Sequence, residues 1–403
     1  MMKNCPALEY KPKEIEAFDF RLAMEEASRC LLCEDAPCSK GCPSGTDPAK
    51  FIRSIRFNNI NGAAETIREN NILGAVCALV CPTERLCQQA CTRASIDRPI
   101  EIAKLQQFAM EHERKANKTY LRKTDTYADK KVACIGAGPA SLACAAELAK
   151  QGVQVTIYDE HDKPGGALRY LIPPYRLPDE IINHDIYQLK KLGVEFVLNH
   201  KVTEEELEEL KKEYDHVFVG VGTWEPKTLN IPGSDLEGVI PALEFLKEAR
   251  TNHEQMNPLG SVIVIGGGDV AMDCAATAKY LGATSVYDVF IESLEEAPAV
   301  QKEKDFVFRL GVPMISEFKP VKFVGNGKVE RVQFEHMENG STMELQADTV
   351  ILAVGQTLCD DAAAWKDDEE LFSGGDMTNG GDTVVRAVGE GKEAARKILE
   401  SFQ

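Results

Sequence analysis

Eight of the thirteen cysteines lie in two short runs, Cys30, Cys33, Cys38 and Cys42-Pro43, then Cys77, Cys81-Pro82, Cys87 and Cys91. A chain that crowds so many thiols into so little sequence has to fold around whatever they bind. Thiolates are the preferred ligands of iron–sulfur clusters, and a C-x2-C run whose last cysteine precedes proline commonly sends that cysteine to a second cluster. Two clusters sharing both runs is the first expectation. A zinc ribbon would need two C-x2-C knuckles, and only Cys30 and Cys33 make one. Disulfides would need an oxidising compartment, and the opening MMKNCPALEYKPKE has no apolar secretory segment. Cys5, Cys134, Cys144, Cys274 and Cys359 stand outside the runs and read as small buried hydrophobes.

At 403 residues the chain is too long for one ordinary core, so two or three domains are expected. No apolar stretch approaches the roughly 20 residues of a membrane span. The excess of 64 acidic over 46 basic residues, a net charge of -18, repels nucleic acid and anionic lipid surfaces. The expectation is a cytoplasmic protein with small-molecule or protein partners, no nucleic acid and no membrane.

Residues 1–125 read as helical, with periodic segments at 18–32 and 48–71. A polar stretch, 112–130, reads as a linker or exposed helix end. From Lys131 the pattern changes to strand, glycine turn, helix, strand: VACIGAGPASLACAAELAKQG then VQVTIYDE, and again SVIVIGGGDVAMDCAATAKYLG then ATSVYDVFIE. The fold class expected is multidomain, with an N-terminal all-α iron–sulfur domain followed by two α/β Rossmann-like nucleotide-binding domains. The boundaries are placed at 1–125 for the clusters, 129–240 plus 350–403 for FAD, and 241–349 for an inserted NAD domain.

In the first unit Gly136, Gly138 and Ser141 fill the G-x-G-x-x-G/A positions, followed by Ala140's helix. Gly136 allows the tight turn and Gly138 lets the backbone reach a pyrophosphate, whose charge the helix N-terminus meets. Asp159 ends the second strand, where an acid binds ribose hydroxyls. In the second unit Gly266, Gly268 and Ala271 take the same places, and strand 285–290 ends at Ile291-Glu292. A 2′-phosphate calls for Arg or Lys there, whereas an unphosphorylated ribose prefers a carboxylate, so the pattern favours NADH. At the C-terminus, Gly375 and Asp376 follow a short strand, and a helix opens near Thr383. A carboxylate at that place suits flavin ribityl hydroxyls, and helix N-terminal amides favour the electron-rich end of a reduced flavin.

With these residues in place, the chain resembles the FAD and iron–sulfur subunit of bacterial NAD-dependent dihydropyrimidine dehydrogenase, itself similar to the N-terminal half of the animal enzyme. The resemblance covers nearly the whole chain and is most specific in CLLCEDAPCSKGCP, FIRSIRFNNINGAAETIRENNILGAVCALVCPTERLCQQAC, RLP at 176–178, GGGDVAMD and ILAVGQ. The glutamate synthase small subunit and bifurcating flavoproteins share the architecture, but their second cysteine run reads differently. The resemblance implies one [4Fe-4S] cluster on Cys30, Cys33, Cys38 and Cys91. It implies a second on Cys42, Cys81 and Cys87 with Gln106 of KLQQF as fourth ligand, leaving Cys77 a non-ligand. It further implies FAD on the 136–141 turn, Asp159, Gly166, Arg176 and the Gly375-Asp376 region, and NAD on Gly266, Gly268, Asp269, Val270, Ala353 and Gly355. Three departures stand out. Ile291 and Glu292 replace the arginine of NADPH-using members, no glycine precedes Ile172-Pro173 near Tyr170-Leu171, and segment 356–371 is short and acidic.

The chemistry expected is hydride transfer from NADH to FAD and one-electron release through the clusters, with no side-chain acid or base, because the cofactors carry it. No Ser/His/Asp set is evident and the seven histidines are scattered. Pyrimidine reduction needs a second flavin, so an FMN-containing barrel-type subunit with ferredoxin-like clusters is the expected partner, in a hetero-oligomer. The competing readings are the small subunit of a glutamate synthase or bifurcating transhydrogenase complex, and a non-catalytic redox sensor, which would have no need of both nucleotide sites.

Overall fold

Helices in the first part of the chain are short because all but the first are stopped by a proline, glycine or asparagine turn, and several of the helix ends present the thiols. The computed structural model describes Tyr10, Lys11 and residues 17–403; Cys5 lies outside them. The first helices are α1 (Phe20–Ser28), α2 (Pro37–Lys40), α3 (Pro48–Arg56), α4 (Ile60–Asn70), α5 (Gly74–Val80) and α6 (Ile102–Ala116). Asp19, Asp47 and Asn59 cap α1, α3 and α4 by accepting a backbone N–H of the first turn. The periodic run 48–71 is thus two helices, parted where Asn58 takes a φ of 61°. Phe51, Ile55, Ile67 and Leu105 form the sealed centre of this layer. The expected linker begins later than its polar composition implied: α6 runs through Ala116 and stops at Asn117 in the left-handed region.

The chain then winds β1 (Lys131–Ile135), α7 (Pro139–Lys150), β2 (Gln154–Tyr158), α8 (Ala167–Tyr170), α9 (Asp179–Leu192), β3 (Glu195–Val197), α10 (Glu204–Glu213) and β4 (His216–Val219). It leaves this body for β5 (Glu225–Pro226), β6 (Val239–Pro241), α11 (Ala242–Asn252), β7 (Ser261–Ile265), α12 (Asp269–Tyr280), β8 (Ser285–Val289), α13 (Gln301–Arg309), β9 (Met314–Ile315), β10 (Phe318–Asn326), β11 (Lys328–His336), β12 (Thr342–Gln346), β13 (Thr349–Leu352) and β14 (Gln356–Thr357). It returns as α14 (Asp360–Lys366), β15 (Leu371–Ser373), α15 (Asp376–Asn379) and α16 (Val384–Ser401).

Two units result. One joins the cysteine-bearing helices to a parallel sheet of order β15-β4-β1-β2-β3. The other holds Tyr10, Lys11, 170–175 and 224–357 around a parallel sheet β6-β13-β7-β8-β9, with an antiparallel sheet β10-β11-β12 that the nucleotide pattern did not announce. Because β6 and β13 both pair into the second unit's sheet, this unit begins at residue 224 and ends at 357, wider than the 241–349 expected from motifs. Tyr10 also departs from the helical assignment of residues 1–125: it packs edge-on against Tyr175 at 6.0 Å in this second unit. The short, acidic segment 356–371 contains α14, whose Trp365 is buried in the first unit's core. No helix among the described residues is long and apolar enough to cross a membrane.

Within the first unit, a fully buried ion network fastens the cysteine-bearing helices to the parallel-sheet part. Arg68 of α4 meets Glu113 of α6 at 2.6 Å and Asp185 of α9 at 2.7 Å, all three with no solvent exposure. Asp185 Oδ2 accepts from the Val76 N–H of α5 at 3.0 Å. His184 Nε2 lies 2.9 Å from Glu113. Burial works against the Glu113 carboxylate, but the Arg68 charge and the bonds from His184 and Arg68 outweigh it and hold its pKa below the usual range. At Asp185 burial wins over Arg68 and raises it. One guanidinium cannot balance two buried carboxylates, and Glu113, gripped through Nε and Nη2 together, keeps the larger share.

Candidate cofactor sites

The helix ends gather the cysteines into two groups. Cys30, Cys33, Cys38 and Cys91 line one cavity with Leu31 and Ile52. The second group is Cys42, Cys77, Cys81 and Cys87, near enough that each charge is felt at Cys81. Burial pushes the Cys38 thiol up to about 11 and the Cys87 thiol up to about 12, with neighbouring thiols adding to it. A hydrogen bond with Cys77, then burial, drives Cys81 well above its ordinary value. Thiols so placed keep their protons until a metal displaces them, which is the chemistry of a structural metal–thiolate centre. Among the described residues no three His, Cys, Asp or Glu side chains converge at single-ion distance. Cys134, Cys144 and Cys274 are sealed in cores, as expected, whereas Cys359 is exposed at the start of α14.

Gln106, on the inner face of α6, is buried and donates from Nε2 to Gly74 O at 2.7 Å. That bond leaves its carbonyl oxygen as the atom with which it could meet a metal. Gly74 opens α5, the helix that carries Cys77 and ends at Cys81, so Gln106 and both thiols share one support. The structure therefore brings four thiols to the second group, Cys77 included, and anchors Gln106 to the first residue of the helix that carries Cys77.

The flavin-type turn follows β1. Gly136 has φ +88°, and a Cβ there would stand 2.7 Å from Gly220 O, so no other residue fits. At Gly138 a Cβ would meet nothing nearer than that same oxygen at 3.7 Å, leaving an open cradle at the N-terminus of α7. Ser141 Oγ is buried with no partner among the described residues. Asp159 accepts the Ala137 N–H on Oδ2 at 2.6 Å and the His161 N–H on Oδ1 at 2.8 Å, with His161 Nδ1 also 3.0 Å from Oδ1, which fixes the turn and leaves Oδ2 a second lone pair. Gly166 lies against Gly138, and Ala140 against Gly375. Arg176 is half-buried.

From the other side of this body, Asp376 starts α15 and Thr383 caps α16 without using its side chain; Thr383 Oγ1 is buried and without a partner among the described residues. Burial raises the Asp376 carboxyl above its ordinary value, Glu390 adding to this against the backbone N–H of Asp382. Glu390 of α16 accepts from Gly375 N–H at 2.6 Å, Thr378 Oγ at 2.8 Å and Asn379 Nδ2 at 2.8 Å. This clamp was not foreseen: in GEGKEAA it reads as surface charge. Two residues further, Lys392 Nζ donates to Ser44 O at 2.6 Å and Asn70 O at 2.5 Å.

In the second unit Gly266 has φ +143° and packs on Ala353 O, while a Cβ on Gly268 would meet nothing within 4 Å, again an open cradle. Glu292 Oε2 would stand 2.9 Å from a Cβ at Gly267, so the carboxylate hangs over the turn while Ile291 is exposed. Asp269 accepts the Val300 N–H at 2.8 Å, and Val270 is exposed beside it. Gly355, at φ +102°, follows β13 and accepts from Lys227 N–H at 3.0 Å. The open cradles, orphan hydroxyls and grouped thiols all suit the nucleotide and cluster cofactors that the sequence pattern implied.

Comparison with known proteins narrows the reading. Residues 10–118 match the family described as dihydropyrimidine dehydrogenase domain II, 4Fe-4S cluster, and residues 130–391 match the pyridine nucleotide-disulphide oxidoreductase family. The chain is 45% identical over 98% of its length to the NAD-dependent dihydropyrimidine dehydrogenase subunit PreT of Escherichia coli (strain K12), covering 97% of that protein. It is 32% identical over 97% of its length to the glutamate synthase [NADPH] small chain of Halomonas elongata, covering 91% of it. Among solved structures, FprA of Mycobacterium tuberculosis in complex with NADPH aligns over 68% of this chain and 84% of its own at a TM-score of 0.57 and 19% identity, a likeness of fold.

Proposed function

The chain belongs to the family of NAD-dependent dihydropyrimidine dehydrogenase subunits, and on that premise we propose that it is the electron-input subunit of such an enzyme, taking electrons from NADH in the cytoplasm. Its cofactors are FAD, NAD and 4Fe-4S clusters. The observation that carries the reading is one body that unites two thiol groups with a flavin-type turn. When bound, these groups supply hydride transfer between nicotinamide and flavin and one-electron transfer onward.

The chain's own residues then have defined tasks. Cys30, Cys33, Cys38 and Cys91 hold the first cluster; Cys42, Cys81, Cys87 and Gln106 hold the second, as fits Gln106's anchored amide. Gly136, Gly138, Ala140, Ser141 and Gly166 accommodate the FAD pyrophosphate, Asp159 accepts ribose hydroxyls, and Arg176, Gly375, Asp376 and Thr383 face the remainder. Gly266, Gly268, Asp269, Val270, Ala353 and Gly355 form the NAD cradle. Glu292 over Gly267 accepts ribose hydroxyls and repels a 2′-phosphate, which supports NADH over NADPH. Cys77, hydrogen-bonded to Cys81, supports that sulfur without binding iron.

The Escherichia coli relative is named as a subunit, which supports a hetero-oligomer. The proposed partner is an FMN-containing barrel with ferredoxin-like clusters that reduces uracil or thymine. The 32% likeness to a glutamate synthase small chain keeps that assembly as the second reading. The test mixes purified chain, NADH and uracil with and without a candidate FMN-containing partner subunit. Dye reduction by the chain alone, with no uracil-dependent NADH oxidation from any such partner, would refute the pyrimidine assignment.

A further inference from the structure

Helix α16 has two ends with different business. Its first turn stands at the place proposed for the flavin, and its middle presses on the loop after Cys42: a Cβ on Gly389 would collide with Pro43 O. There the ammonium of Lys392, mostly removed from solvent, donates to the carbonyls of Ser44 and Asn70. Ser44 Oγ in turn lies 3.3 Å from Cys42 Sγ. No carboxylate forms an ion pair with Lys392 among the described residues, and Glu147 on the neighbouring α7 is instead paired with Lys150 at 2.8 Å. A half-buried cation whose hydrogen bonds all go to neutral carbonyls has no directly bonded counter-charge, and the Glu147 carboxylate reaches it only through space. Metal loading would add negative charge at the Cys42, Cys81 and Cys87 group, which Lys392 adjoins through Ser44.

We propose that Lys392 is the counter-charge of the second cluster and sets how readily that cluster accepts an electron from the flavin. The inference rests on the cluster assignment made under Proposed function. The step would be a one-electron transfer: the cluster held by Cys42, Cys81, Cys87 and Gln106 would gain the electron that a reduced flavin gives up, with no bond formed or broken and no proton moved. The electron adds a negative charge beside a fixed positive one, in a place where water screens little, so reduction is favoured. Lys392 is thus a positioning residue acting through charge, with Ser44 fixing its distance from Cys42.

The experiment compares the full chain, reconstituted with iron, sulfide and FAD, with Lys392→Arg, Lys392→Gln and Lys392→Met, by iron content and by potentiometric titration followed by electron paramagnetic resonance. The signal assigned to the second cluster is the one that Cys81→Ser removes. The Gln and Met variants are expected to disfavour its reduction about tenfold, a shift of about 59 mV to more negative potential for one electron. Lys392→Arg should restore most of it, and the first cluster should not move. Loss of second-cluster iron from both neutral variants with retention in Arg supports the same charge requirement. A wild-type potential in any iron-replete neutral variant, or equal failure of the Arg variant, overturns the proposal. If Cys81→Ser removes neither iron nor signal, the cluster assignment itself has failed.

Discussion

Asp185→Ala strikes the buried network at the point where two kinds of loss can be separated. The substitution breaks the 2.7 Å pair with Arg68, but Glu113 still neutralises the guanidinium, so the loss is that of one charge-assisted hydrogen bond, about 1.5–3 kcal/mol. It also orphans the Val76 N–H, held at 3.0 Å, adding about 1–3 kcal/mol. Asp185→Asn keeps an acceptor for that N–H and for Arg68 and should cost only about 1.5–3 kcal/mol, the worth of a charged hydrogen bond. The gap between the variants is then at least about 1 kcal/mol, the worth of the orphaned N–H, or about 2 °C or more in apparent Tm at about 2–4 °C per kcal/mol. Thermal melts at pH 7, fixed salt and matched iron content provide the assay, with amide exchange at Val76 rising in the Ala variant alone. Melting points of the two variants within 1 °C of each other would refute the reasoning. The sign with pH is also set. Glu113, depressed in the folded chain below its ordinary 4.5, contributes stability that is present above that value and lost as pH falls through its lower folded value. Arg68→Met should therefore flatten the acid limb of the melting curve.

Asp288 offers the opposite case, a fully buried carboxyl on β8 with both oxygens unpartnered among the described residues and its pKa raised, chiefly by burial. The unfolded carboxyl ionises near 3.8 while burial makes the folded one hold its proton to higher pH, so folding weakens as pH rises from there. Asp288→Val should raise stability at pH 7 by about 1–3 kcal/mol, with the gain disappearing in acid; an unchanged melt at neutral pH contradicts it. Ile291→Arg with Glu292→Lys should shift the kcat/KM ratio toward NADPH at least about tenfold, about 1.4 kcal/mol of transition-state binding, and an unmoved ratio counts against the strand-end reading. Gln106→Ala should lose about half of the bound iron while Cys77→Ala keeps it. The reverse result makes Cys77 the fourth ligand.

What the sequence disclosed and what it hid divide by range. The turns at 136–138 and 266–268 were legible because a tight turn, a close backbone approach and an acid at the next strand end are local demands on local residues. The interlacing of the two cysteine runs was not, since spacing alone left several ligand sets open and only a family resemblance chose among them. Arg68, Glu113 and Asp185 sit in polar helical stretches that look solvated, and become a sealed network only when α9 arrives from far along the chain. Glu390 and Lys392 were hidden for the same reason, their partners lying in other elements. The break at Asn58 and the helix in 356–371 show the limit of periodicity, which registers apolar spacing but not a single left-handed residue or one buried tryptophan.

The return of the chain from its inserted unit has a consequence for biosynthesis. β1, β2, β3 and β4 leave the ribosome early, yet the edge strand β15 that pairs with β4, and the helix α16 that covers α7, are made only after residues 224–357. Domains tend to fold in the order of synthesis, so the inserted body can be complete while the flavin-type body still lacks an edge and the Cys42 loop still lacks Lys392. A prematurely ended chain would therefore present a finished nicotinamide unit joined to an open electron-carrying unit. Closure of the body that carries the thiols and the first glycine turn thus waits on β15 and α16.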